Sequence, residues 1–136
     1  MTVVDASVWV SSFISDDVHH ATSLQWIMQQ TAQASELVIP TLALPQIAGA
    51  IARRLGSSQP ATRAVSRMLA LPTLRLVALD ASLGQRAADI AATHRLRGAD
   101  AVYVVTALAN GADLVTWDTE VIRRTAGLLG TFEPTV

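Results

Sequence analysis

The stretch LRGADAVYVVTALANGADLVTWD, Leu96 to Asp118, decides how this chain is read. It is mostly apolar, yet it carries Asp100, Asp113 and Asp118. Ionised aspartates are rarely buried unless paired or bound to a metal. Each must therefore reach water, cap a helix or help to hold a cation. The pattern predicts a helix near 99–110, stopped by Asn110-Gly111, and a strand over 113–117. Asp118 or Thr119 then starts a short helix. Asp100 thus opens a helix and Asp118 follows a strand. Asp113 begins that strand, at its opposite end, and reads as a turn residue after Gly111.

Working outward, Thr2-Val3-Val4 is a β-branched run ending at Asp5, with a short helix after it (Val8, Trp9, Phe13). Asp16-Asp17 precede a helix near 19–34, with Leu24, Ile27 and Met28 at core spacing. Glu36 to Pro40 reads as a second strand. Thr41 is a candidate cap for a helix over 42–55, with Pro45 in its first turn, Gly56 after its end, and a buried stripe of Leu44, Ile47, Ile51 and Leu55. A break at 57–60 leads to a helix near 60–70. The strand Leu74–Leu79 follows, then a helix over 82–96 capped by Asp80 or Ser82, and a last short strand near Phe132. Strands alternating with helices imply one domain over 1–136: a three-layer α/β/α sandwich around a mainly parallel sheet.

The composition, 51% hydrophobic and 15% charged, predicts that much of each element is buried. No apolar run reaches the roughly 18 residues that span a bilayer. The start has no basic region and meets Asp5 early, so it does not read as a signal peptide, and the cytoplasm is the expected compartment. With no cysteine, thiolate metal sites and disulfides are excluded. The net charge of −1 gives no global basic field. All ten basic residues are arginine, which reflects either base composition or phosphate recognition by guanidinium forks.

In open α/β sheets, ligands bind outside the carboxyl ends of the strands. Asp5 and Asp118 each follow a strand, so they share a rim if those strands are neighbours, and Asp100 joins them from a helix start. Each could be only an N-cap. Together at one rim, three carboxylates repel unless a cation is present. Hard oxygens without histidine or cysteine suit Mg²⁺ or Mn²⁺.

With those residues in place, the chain resembles the PIN-domain family. The resemblance rests on four ordered motifs covering essentially the whole chain: Val4-Asp5-Ala6-Ser7; Leu44-Pro45-Gln46 leading into Ile47 to Arg54; Arg97-Gly98-Ala99-Asp100-Ala101-Val102-Tyr103; and Leu114-Val115-Thr116-Trp117-Asp118. The resemblance implies an Mg²⁺- or Mn²⁺-dependent endoribonuclease, a VapC-type toxin with RNA as substrate, an antitoxin as partner and a homodimer as assembly. The family's four acids map to Asp5, Gln46, Asp100 and Asp118, with Ser7 and Thr116 as hydroxyl neighbours. Position 46 departs from the pattern, because it is glutamine where the family has glutamate. An amide is a neutral ligand and cannot act as a base. Metal would rest on Asp5, Asp100 and Asp118, with Glu120 a candidate replacement. The departure leaves a second expectation, a PIN-like module that binds RNA or protein without turnover.

RNA must be held near such a cleft by positive charge. Arg95 and Arg97, just before Asp100, are the first candidates; Arg53-Arg54 and Arg123-Arg124 are others, and each could instead be a solvated helix end. Asp16-Asp17-Val18-His19-His20 reads as a helix start, not a metal cluster. Trp9, Trp26 and Trp117 read as core or interface, though Trp117 adjoins Asp118 and is a candidate to line the cleft. The apolar helices near 19–34 and 42–70 are expected to leave an exposed patch suited to a partner. A receiver-type phosphoacceptor also clusters acids at strand ends, but it needs a lysine and this chain has none. No glycine-rich phosphate loop appears, which argues against an NTPase or a dinucleotide enzyme.

Overall fold

The computed structural model describes all residues from Met1 to Val136. Five parallel strands form one sheet in the order β3-β2-β1-β4-β5: β1 (Thr2–Val4), β2 (Leu37–Pro40), β3 (Leu74–Val77), β4 (Asp113–Val115) and β5 (Thr131–Phe132). Central parallel strands covered on both faces need unbroken apolar runs. Val3, Val4, Leu37, Val38, Ile39, Leu114 and Val115 supply them and are all buried. The edge strand β3 is only half-buried and carries Arg75, which pairs with Glu36 and Asn110.

Seven helices complete the sandwich: α1 (Ala6–Phe13), α2 (His20–Ala32), α3 (Ala43–Leu55), α4 (Ser58–Leu69), α5 (Ala81–His94), α6 (Gly98–Asn110) and α7 (Thr119–Arg124). α1 packs with α2 and α3, α3 with α4, and α5 with α6, which also lies on β1, β2 and β4. One large core joins these layers, with Trp9, Ile47, Met68 and Tyr103 among its largest members. A smaller cluster holds α5 to α6 through Leu83, Ala87, Ala101, Val102 and Val105. No helix is long and apolar enough to cross a membrane.

The expected elements are present in the expected order, with local differences. Leu24 and Met28 are exposed at 39% and 61%; Ile27 is buried as expected, and Ser23 and Trp26 are buried with it on α2. Leu55 is also exposed, one turn beyond the buried Ile51, where α3 runs past the core toward Gly56. Thr41 does not cap α3; its hydroxyl accepts the Leu79 N–H and so ties the ends of β2 and β3 together. Asp80, not Ser82, caps α5 by accepting the Leu83 N–H.

The chain leaves β1 in both directions across the sheet, toward β2 and β3 on one side and β4 and β5 on the other. The reversal falls between β1 and β4, where an open α/β sheet opens a crevice at its carboxyl edge. Asp5 and Asp118 follow the two strands that flank it.

Candidate active site

Asp5 caps α1 through one oxygen. Its Oδ2 accepts the Ser7 N–H at 3.1 Å, the Ser7 hydroxyl at 2.5 Å and the Thr116 hydroxyl at 3.1 Å. None of these bonds uses Oδ1. The two hydroxyls also accept from the loop after β4, Ser7 Oγ from the Trp117 N–H at 3.2 Å and Thr116 Oγ1 from the Asp118 N–H at 3.1 Å. Each hydroxyl therefore links the end of β1 to the end of β4, and the pair fixes Asp5 relative to Asp118.

Asp118 is built the same way. Its Oδ1 accepts the N–H groups of Glu120 and Val121 at 2.9 and 3.3 Å, capping α7, and Oδ2 is left over. Asp100 differs from both. It sits in the first turn of α6, whose N-cap residue is Arg97, and its carboxylate accepts no hydrogen bond. Burial pushes its pKa up to about 6, and the charges of Asp5 and Asp118 push in the same direction against the smaller opposing effect of Arg97. Of three acids that could each have been a mere cap, two are caps and the third caps nothing.

A polar cleft of about 240 Å³ lies between α6 and α7, lined by Asp100, Asp118, Glu120, Arg95, Arg97 and Arg124 among others. Arg95 ends α5 in the left-handed region (φ 55°), which is unfavourable for a residue with a Cβ. The Arg95 carbonyl accepts from Arg124 Nη1 at 3.3 Å. Arg95 and Arg97 form no ion pair, whereas Arg54 pairs with Asp17 away from the cleft. Glu120 lines the cleft but is not a fourth free acid. Arg123 binds its Oε2 at 2.5 Å, Arg124 at 3.2 Å, and the Arg123 bond leads in holding its pKa low.

Gln46 is half-buried in the first turn of α3, and the hydroxyl of the buried Tyr103 donates to its Oε1 at 2.8 Å. Burial, then the Asp5 charge, push the Tyr103 pKa upward; the nearby Ala6 N–H works against them. Tyr103 was not singled out from the sequence. The signal was available, because it lies three residues from Asp100 on the same helix face. Arg124 lines the cleft while its neighbour Arg123 does not.

The Asp16–His20 segment forms a helix approach, as expected: Asp17 accepts the His19 N–H and pairs with Arg54. Trp117 does not line the cleft. Its ring stacks on His19 with centroids 3.8 Å apart, and its indole N–H donates to Ser23 Oγ at 2.8 Å. No three acidic or histidine side chains are gathered tightly enough to enclose an ion by themselves. The donor set is nevertheless of the kind that Mg²⁺ or Mn²⁺ takes. It offers free carboxylate oxygens on Asp5 and Asp118 and an unpartnered carboxylate at Asp100, and such ions often take only one or two protein carboxylates, with water and phosphate completing the shell.

The model of the PIN domain matches residues 2–128. The chain belongs to the PIN-domain family. Among curated proteins none matches in sequence. Solved structures repeat the fold over nearly their full length. The sarcin–ricin-loop-cleaving toxin VapC20 of Mycobacterium tuberculosis superposes with a TM-score of 0.80 at 19% identity, over 93% of this chain and 95% of that one. A toxin–antitoxin complex from Klebsiella pneumoniae gives 0.71 at 18% identity, over 99% and 98%. FitAcB from Neisseria gonorrhoeae gives 0.72 at 17% identity, over 98% of each chain.

Proposed function

We propose that this PIN domain is a divalent-metal-dependent endoribonuclease of the VapC toxin type, cutting RNA phosphodiester bonds at the cleft beside β1 and β4. The observation that carries the proposal is Asp100. A half-buried carboxylate with no hydrogen-bond donor, facing two further acids, is costly unless a cation joins them. Asp5, Asp100 and Asp118 would hold Mg²⁺ or Mn²⁺. A bound divalent ion supplies Lewis acidity and a more acidic water.

The chain's own residues do the rest. Ser7 and Thr116 hold Asp5 by one oxygen and leave the other without a hydrogen bond. Arg95, Arg97 and Arg124 draw the phosphate backbone toward the acids. Glu120 supports this by anchoring Arg123 and Arg124. Gln46 orients by hydrogen bonding and cannot take a proton. An RNA substrate implies a cytoplasmic site of action. The partner is an antitoxin segment, seated on the apolar groove of about 410 Å³ between α1, α2 and α4, where Leu24 and Met28 are exposed. A homodimer is the expected assembly.

One observation favours a second reading, a PIN-like module impaired in catalysis: an amide stands at the family's glutamate position and its oxygen is already bonded to Tyr103. Incubation of a mixed RNA with Mn²⁺ separates the two. The nuclease reading expects cleavage that EDTA stops and Asp5→Asn abolishes. Silence that Gln46→Glu converts into cleavage supports the impaired module. Silence of both proteins refutes the nuclease reading for that RNA.

A further inference from the structure

We propose that Tyr103 is a positioning residue that holds Gln46 with its amide nitrogen toward the acidic cleft, so that position 46 donates a hydrogen bond to a phosphate oxygen and is not a metal ligand. The phosphate rests on the nuclease reading; the Tyr103–Gln46 placement does not.

The geometry begins with a buried hydroxyl. Tyr103 is 1% exposed, and its O–H donates to Gln46 Oε1 at 2.8 Å. A glutamine side chain has one oxygen acceptor and one nitrogen carrying two protons. With the oxygen held by Tyr103, the nitrogen is the end left free. It forms no hydrogen bond within the chain, and it is not among the buried polar atoms that lack a partner. The reverse orientation would leave an acceptor as the free end, next to a phenol that already feels the charges of Asp5 and Asp100. Carboxylates repel a carbonyl oxygen and attract an N–H, so the local field favours the same orientation as the hydrogen bond.

This orientation changes what the departure from glutamate means. An ionised glutamate is acceptor-only and would add a fourth negative charge to the three aspartates. The glutamine removes that charge and supplies a donor in its place. The metal would then depend on the three aspartates, and Gln46 would contact the anion brought to it.

The test is a nitrogen-15 spectrum of the full chain, with the side-chain amide pair of Gln46 assigned by its loss in Gln46→Ala. Tyr103→Phe keeps the ring and removes the hydroxyl. It is expected to shift the Gln46 pair. Inorganic phosphate added with Mg²⁺ is expected to move that pair in the parent protein and to move it less in Tyr103→Phe. Calorimetry with Mn²⁺ is the second arm. Gln46→Ala is expected to bind within about twofold of the parent, while Asp100→Asn binds about tenfold or more weakly. If Tyr103→Phe does not fold, Gln46→Glu serves: it keeps an acceptor for Tyr103, has no donor, and is expected to bind Mn²⁺ more tightly than the parent. A Gln46 pair unmoved by Tyr103→Phe would overturn the proposal. So would a loss of Mn²⁺ affinity in Gln46→Ala equal to that in Asp100→Asn. Should Asp100→Asn leave Mn²⁺ binding unchanged, the metal reading fails, and the amide spectra still decide the placement of Gln46.

Discussion

The acidic cleft and the apolar groove are built on opposite principles. In and beside the cleft, most polar side chains have named partners. Asp5 is bound by Ser7 and Thr116, Asp118 caps α7, Arg124 reaches Glu120 and the Arg95 carbonyl, and Gln46 is held by Tyr103. Among the acids Asp100 alone is unpartnered, and its neighbours make its ionisation costly. In the groove, Trp9, Phe13, Leu24, Ile27, Met28 and Leu71 make a wall with almost no polar contact. The groove asks little of the folded monomer, and a covering segment would remove its exposed apolar surface from water. The cleft keeps a repulsion that packing does not relieve. Strain of that kind persists where function requires it, so the two surfaces are expected to respond to substitution in different ways.

The largest difference is expected in cleavage. Asp100→Asn removes a carboxylate from the proposed metal set and should lower the RNA cleavage rate by about a hundredfold or more, since metal charge stabilisation is worth several kcal/mol. Met28→Glu, in the groove, should leave that rate unchanged. It should weaken binding of an antitoxin segment by about tenfold, as for a modest hot spot, while stability moves by no more than about 0.5 kcal/mol. Cleavage rates and partner titrations on the same two variants check both halves.

Stability sharpens the contrast within the cleft itself. The folded pKa of Asp100 is raised to about 6 from an ordinary value of 3.8. The folded state therefore holds this proton more tightly than the unfolded chain does. Stability falls as pH rises through the window from about 4 to about 6, and the loss is complete above it. Asp100→Asn should abolish that slope and stabilise the metal-free protein at pH 7 by about 1–2 kcal/mol, the full shift being discounted for solvent screening. Asp5→Ala should do the opposite and cost about 1–2 kcal/mol, because it removes a cap and leaves two hydroxyls without their acceptor. Thermal melts between pH 4 and pH 7 distinguish the signs. The smallest effect is expected at the rim. Arg97→Ala should raise KM for RNA with little change in kcat and reduce the slope of log affinity against log salt by about 1.

The two surfaces were also unequally legible in the sequence. The cleft was readable because its acids stand at punctuation points, two after strands and one at a helix start, and the α/β alternation brings those points to one edge. Helical periodicity shows which residues share a face, but not how far the core extends along it. Leu24, Met28 and Leu55 kept core spacing and ended exposed for that reason. Side-chain bonds between distant segments were not visible either. The Tyr103–Gln46 contact spans 57 residues, and the stacking of His19 on Trp117 spans most of the chain. Arg95 in the left-handed region carries no sequence mark, since glycine is the usual residue in that conformation.

The most direct test of the central claim, that Asp5, Asp100 and Asp118 meet around one divalent cation, is calorimetric titration with Mn²⁺ of the parent protein, the Asn variant at each of these positions, and Asp113→Asn. Asp113 opens β4, at the end of that strand away from the cleft. The expected result is binding in the parent and in Asp113→Asn with the same affinity, weakened about tenfold or more in each of the other three. Equal affinity in all five proteins, or no binding in the parent, would contradict it.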